Sequence, residues 1–183
     1  MNILALSGSL RAASVNSALL RVACRVAPLG VTVETLEGLG DLPLFNPDLE
    51  TEPPDLVRRF RARVAQSDAL LIASPEYAHG ITGTIKNALD WLVSFEPFAG
   101  KMVALLNASG RAHHADAALR EILRTMAAIL VEPASITIPL PGSSLDEEAI
   151  AALPGVAASL RKSLTDLHEA LAVQRIVPRL LIG

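Results

Sequence analysis

Aromatic residues are scarce in this chain: four Phe, one Tyr and one Trp among 183 residues. There is no series of aromatic side chains interleaved with basic ones, which excludes a stacking platform for single-stranded nucleic acid. A basic field is missing too, since the net charge is −3, and a phosphate backbone has nothing to attract it. One cysteine, Cys24, cannot form an internal disulfide, in keeping with a reducing compartment, and its place in a helix pattern reads as a small buried thiol. No apolar run reaches the ~18 residues of a spanning helix without Pro or charge. No basic segment precedes an apolar stretch at Met1, so neither membrane association nor a signal peptide is expected, and the expected location is the cytoplasm. The glycine-rich phosphate fingerprints are absent from the first loop, where Gly8 stands alone and no Gly-Lys follows.

What is present is aliphatic. Hydrophobic residues make up 51% of the chain, mostly Ala, Val, Leu and Ile, which suits buried parallel strands under helices. The length predicts one domain, residues 1–183. Strands are expected at Asn2–Leu6, Val31–Leu36, Asp68–Ala73, Met102–Leu106 and Ala134–Ile138. Helices are expected at Val15–Ala27, Pro54–Gln66, Thr82–Ser94 and His113–Leu130, with a helical tail over Leu145–Gln174 broken at Pro154-Gly155. The alternation of the second strand places it at an edge, and the continuous apolar third strand belongs at the centre. This βα alternation predicts an α/β fold with a flavodoxin-like, five-stranded parallel sheet, order 2-1-3-4-5, and helices on both faces. Gly38–Pro54 is a long irregular segment that must fold back on the surface or on a partner subunit. Arg58, Arg59, Arg61 and Arg63 read as a solvated helix face.

The chemistry gathers in loops. Ser7-Gly8-Ser9-Leu10-Arg11 leads from a buried strand to the start of a helix, where free N–H groups favour an anion. Ser9, Ser14 and Ser17 offer hydroxyls and Arg11 a charged fork, as a phosphate cradle needs. An ordinary strand-to-helix turn, with Ser14 as N-cap and Gly8 at the bend, explains the same residues equally well. In a sheet of this order the switch point lies between strands one and three, so the loops after strands one, three and four leave the same edge. The second loop, Ser74–Gly80, offers a proline bend and Tyr77, a wall for a planar ligand. The third adds Ser109, Gly110 and Arg111 near a helix start. Glu76 reads as solvated or as a cap of the third helix, and nothing beside it supports a general base. His79 has no companions at ligand spacing, so no metal is expected. His113 and His114, adjacent on a helix, are expected to face apart. No Ser/His/Asp or Cys/His pairing emerges by spacing, distant triads staying open, and the lack of an obvious acid, base or metal set points to a borrowed cofactor for the chemistry.

Two motifs give these loops a relative. Gly8-Ser9-Leu10-Arg11 with Ser14 and Asn16 is similar to the G-S-x-R-x-x-S-x-N of the NADPH-dependent FMN reductases, a family that includes quinone, chromate and azo reductases. Pro75-Glu76-Tyr77-Ala78, continuing to Lys86-Asn87-Ala88-Leu89-Asp90-Trp91, resembles that family's P-E-Y-N and K-N-A-I-D-W. The resemblance implies FMN as cofactor, with Ser9, Arg11, Ser14 and Asn16 on its phosphate. It places Pro75, Glu76, Tyr77 and Ala78 along the ring and ribityl chain, with Ser109 and Gly110 beside the ring. It further implies NAD(P)H as hydride donor, a quinone-like small-molecule acceptor and a homodimer or homotetramer. An FMN-binding electron carrier without nicotinamide activity is the alternative. Ala78 stands where the family often has Asn, and Thr82 where it often has Pro. Trp91 is placed either at a subunit interface or inside its own subunit.

Overall fold

In the computed structural model, which describes residues 1–142 and 144–180, three strands form the buried centre of the sheet. These are β1 (Asn2–Ser7), β3 (Ala69–Ala73) and β4 (Met102–Asn107). All five residues of β3 are buried, as are the first five of β4. Alternate side chains enter different cores. Ile3, Ala5, Leu71 and Ala104 pack with α1 (Val15–Arg25) and α6 (Val156–Leu180). Leu4, Leu6, Leu70, Ile72 and Val103 pack with α2 (Asp55–Gln66), α3 (Gly83–Asp90) and α4 (His113–Thr125). The sheet order is β2-β1-β3-β4-β5, every pair parallel, with β2 (Thr32–Thr35) at the edge its alternation predicts.

The far edge departs from the expected single fifth strand. Two dipeptide strands, β5 (Ile129–Leu130) and β6 (Ile136–Thr137), share one flank of β4, which makes a sixth strand. Between them Glu132–Ala134 forms a 3-10 turn around Pro133, which has no N–H for a ladder. The Leu105 N–H facing this gap donates to Ser135 Oγ instead, at 3.1 Å. Ser163 Oγ of α6 donates to Ala134 O and ties the turn down.

Helix α4 stops at Thr125, five residues short of the expected Leu130. Ala127 adopts φ +58°, and the N–H groups of Ala127 and Ala128 return to Arg124 O and Leu123 O. This left-handed stop is usually marked by Gly or Asn, and here Ala hides it. The tail divides where Pro154-Gly155 predicts, into α5 (Glu147–Ala151) and α6. Among the described residues no helix is long and apolar enough to cross a membrane.

The long segment before α2 folds back on its own chain, onto α3. Asn87 is the template: its Oδ1 accepts from Phe45 N at 2.8 Å and its Nδ2 donates to Pro43 O at 3.0 Å. Trp91 Nε1 donates to the same Pro43 carbonyl, and Phe45 meets the indole edge-on at 5.1 Å. Trp91 has no exposed surface, so it belongs to its own subunit and not to an interface. Arg61 is not a solvated arginine either. It donates to Trp91 O and to Glu50 Oε2 and lies over the Trp91 and Phe95 rings.

Candidate functional site

The first loop leaves β1 at Ser7 and enters α1 under a cap. Ser14 is buried, and its Oγ accepts from Ser17 N at 3.2 Å. The capping reading of Ser14 therefore holds, and its hydroxyl proton remains available as a donor. The first-turn N–H groups of Val15 and Asn16 lie beyond the reach of helical carbonyls. Asn16 is buried at 6% exposure, and among the described residues its Oδ1 has no hydrogen-bond partner. A buried orphan acceptor costs about 1–3 kcal/mol, so the fold holds this oxygen in place against a standing penalty.

The second loop is a hairpin. Tyr77 and Gly80 exchange both backbone hydrogen bonds, at 3.1 and 2.9 Å. Ala78 and His79 between them have φ +48° and +59°, the two left-handed positions of a primed turn. Asn and Gly suit such positions, His is tolerated there, and Ala is not favoured. The Asn found here in the similar family is thus the residue this turn chemistry favours. Ala78→Asn is expected to raise stability by about 0.5–1 kcal/mol, part of the ~1–2 kcal/mol left-handed penalty. Urea unfolding reads this directly, and an unchanged or lowered midpoint contradicts it.

Glu76 caps a helix, but α4 and not α3. Its Oε2 accepts from Ala115 N at 2.9 Å, across the gap between the second and third loops. Ala112, at the N-cap position of α4, has no side chain able to do this. The Ala115 N–H bond holds the Glu76 carboxyl below the usual carboxylate range, and His114 adds to the effect. Helix α3 is capped instead by Thr82, whose Oγ1 accepts from Ile85 N, so Thr has a reason to stand where Pro is frequent. The histidines do not face apart: the rings of His113 and His114 lie 4.3 Å apart, and His79 stacks on His114 at 4.4 Å. Among the described residues no three His, Cys, Asp or Glu side chains are grouped to hold a metal ion.

The third loop is braced from within. Asn107 Oδ1 accepts from Ser109 N, Asn107 Nδ2 donates to Ala112 O, and Ser109 Oγ accepts from Arg111 N. The three loops enclose a cleft of about 420 Å³, in the size range of small-molecule sites. Of the expected residues, Asn16, Pro75, Glu76 and Ser109 line it, with Arg111 beside them. Ser14 lies beneath as the cap. Tyr77 and Ala78 are exposed on the hairpin, and Gly110 is exposed next to Pro139. Ser9 and Arg11 line a separate cleft on the β2 side of the first loop. Arg11 nevertheless reaches Ser144, donating to its Oγ at 2.9 Å. Leu140, Pro141 and Gly142, after β6, form a fourth wall. The Pro-Leu-Pro-Gly run marks that turn in the sequence, but only the shared flank of β4 carries it to the site.

The donor set fits a phosphorylated polyol carrying a flat ring. Hydroxyls and helix N–H groups stand at one end, the orphan Asn16 oxygen can accept from a chain hydroxyl, and a hairpin rises at the other end. A profile of the family described as NADPH-dependent FMN reductase matches residues 1–140. An NAD(P)H-dependent FMN reductase of Pseudomonas aeruginosa is 42% identical over 112 residues, 60% of this chain and 60% of that protein. A quinone reductase of Escherichia coli K12 is 34% identical over 113 residues, again 60% of each. The chain thus spans about 60% of the length of these relatives. FerB, a flavoenzyme NAD(P)H:(acceptor) oxidoreductase of Paracoccus denitrificans, superposes with a TM-score of 0.69 at 26% identity. The superposition covers 92% of this chain and 97% of that one.

Proposed function

Because the chain belongs to the NADPH-dependent FMN reductase family, we propose that it is an FMN-dependent NAD(P)H oxidoreductase that reduces a quinone-like acceptor. One observation carries the reading: three loops meet in one cleft lined by Asn16, whose buried oxygen has no partner among the described residues. FMN suits that oxygen in hydrogen-bonding terms, because its ribityl hydroxyls are donors, and its phosphate can accept from the hydroxyls and N–H groups at the start of α1.

In this reading bound FMN supplies the two-electron carrier between donor and acceptor. The residues supply binding, orientation and field. Ser14 Oγ–H and the first-turn N–H groups of α1 receive the phosphate, with Arg11 approaching from the neighbouring side. Pro75 and Glu76 border the ring, and Tyr77 and Ala78 rise beside it on the hairpin. Ser109 and Gly110 close the side toward β4. Glu76, through Ala115 N, fixes the spacing of the second and third loops. Arg111 and the start of α4 place positive potential on the cleft, which favours added negative charge. No side chain needs to act as acid, base or nucleophile.

Reconstitution with FMN followed by a quinone-coupled assay of NAD(P)H oxidation tests the proposal. A flavin absorption spectrum and donor oxidation are expected. A protein that takes up no FMN contradicts the proposal outright. FMN uptake without donor oxidation identifies the electron-carrier alternative. Arg11→Ala is expected to weaken FMN binding at least tenfold, from the ~1.5–3 kcal/mol of a charge-assisted hydrogen bond. Turnover of FMN-saturated protein is expected to stay within about twofold, since binding and not chemistry is lost. A variant that binds FMN normally but is inactive reverses this division of roles.

A further inference from the structure

On the β2 side of the first loop lies the other cleft, of about 470 Å³. Among the described residues none lines both clefts, so the first loop and the start of α1 form a partition between them. The reading above draws only Arg11 from the rim of this second space and leaves the rest of its walls without a role.

At the C-terminal end of β2, Thr35 Oγ1 donates to Glu37 Oε1 at 3.4 Å, leaving the other carboxylate oxygen to accept. Asp41, on the 3-10 turn Leu39–Asp41, lines the same cleft. Its carboxylate lies against Gly38, 3.1 Å from where a Cβ would stand, at a backbone φ of +73°. Two carboxylates on one cleft supply acceptors of the kind a vicinal diol needs, as an acid after the second strand does for ribose in dinucleotide folds. Arg21 borders the same cleft from α1. Its Nε donates to Glu147, and the terminal N–H groups of the fork remain for an anion. Ser7 and Ser17 share a 2.7 Å hydrogen bond on the floor. Leu10 leans across the top onto Gly40, where a Cβ would come within 2.5 Å of Leu10 Cδ2. Leu20 and Leu36 continue the apolar wall. Two carboxylates, an arginine whose terminal N–H groups are open beside its Glu147 ion pair, and a leucine roof match the three parts of a nucleotide: ribose, phosphate and base.

We propose that this cleft is a second ligand site that takes a ribonucleotide monophosphate unit, with Glu37 and Asp41 on the ribose diol, Arg21 on the phosphate and Leu10 over the base. Two sources carry that chemistry. One is a free nucleotide. The other, which rests on the NAD(P)H reading above, is the adenosine half of the dinucleotide donor.

The test titrates FMN-loaded protein with 5′-AMP, following backbone amides by NMR, with 2′,3′-dideoxy-AMP as control. Shifts are expected in residues 35–41 and in α1 near Arg21, with the dideoxy analogue at least tenfold weaker. Glu37→Gln, at an exposed position, is expected to weaken 5′-AMP about tenfold while FMN affinity stays unchanged. Absence of shifts at millimolar 5′-AMP overturns the proposal. So do shifts confined to 74–80 and 107–112, or equal binding of the dideoxy analogue. Where 5′-AMP binds as expected, a raised KM for NADH or NADPH in Glu37→Gln at constant kcat assigns the site to the donor. An unchanged KM assigns it to a free nucleotide. The binding titration involves no hydride transfer, so it stands even if the protein oxidises no NAD(P)H.

Discussion

Gly8→Ala is expected to lower stability by about 1–3 kcal/mol, the usual effect of forcing an extra carbon into a packed site, and to weaken FMN binding more than tenfold. The reason is space and not backbone freedom. A Cβ at Gly8 would stand 2.2 Å from Ser74 Oγ and 2.7 Å from Ile85 Cγ1. The backbone cannot yield, because Gly8 N donates to Ala73 O at 2.8 Å and so continues the β1–β3 pairing into the loop. Ser74 must move, and Ser74 begins the second loop and lines the ligand cleft. The first loop is thereby coupled to the second through a contact only a hydrogen atom can fill. Urea unfolding and a flavin fluorescence titration read the two effects. Adding Ser74→Gly is expected to restore part of both, because the clashing Oγ and Cβ are removed together. Wild-type stability in Gly8→Ala would refute the packing argument.

Arg61→Ala is expected to destabilise the fold by about 2–3 kcal/mol, somewhat below the ~3–5 kcal/mol of breaking a fully buried pair. The Arg61 side chain is 11% exposed and its partner Glu50 21%. Removal takes away the hydrogen bond to Trp91 O, the contacts over Trp91 and Phe95, and the counter-charge of Glu50. Glu50 Oε1 already has no hydrogen-bond partner among the described residues. Arg61→Lys is expected to restore little, since one ammonium cannot replace a fork that reaches Trp91 O and Glu50 together. The loss concentrates in residues 38–54, so protease cleavage there should rise before global unfolding. A variant as protease-resistant as the parent speaks against this role.

The same pair has a pH signature. Burial works to raise the Glu50 carboxyl, but the Ser94 hydroxyl and Arg61 overcome it and hold the group below the ordinary range. A depressed folded-state value stabilises above the unfolded carboxyl range, and the contribution fades as pH falls through the depressed value. The parent should therefore lose stability on acidification more steeply than Arg61→Ala, with thermal melts between pH 7 and 3 as the measurement.

The sequence by itself determined the layered fold. Continuous apolar runs in β1, β3 and β4 can be satisfied only by a sheet covered on both faces, and the alternation of β2, with right-handed crossovers, suits the order 2-1-3-4-5. It also placed three loops at one edge, because that consequence needs only topology. What tertiary structure decided were the ends and the partners. Helix α4 stops on an Ala in a left-handed conformation, which no residue type announces. The fifth sheet position is divided because Pro133 breaks the ladder and Ser135 can satisfy Leu105 N. Glu76 caps a helix 39 residues away, and Arg61 turns inward to a carboxylate and two rings. Capping within a turn is legible because donor and acceptor are neighbours in the chain. Capping across loops is not, because the spacing that makes it exists only after the sheet has formed.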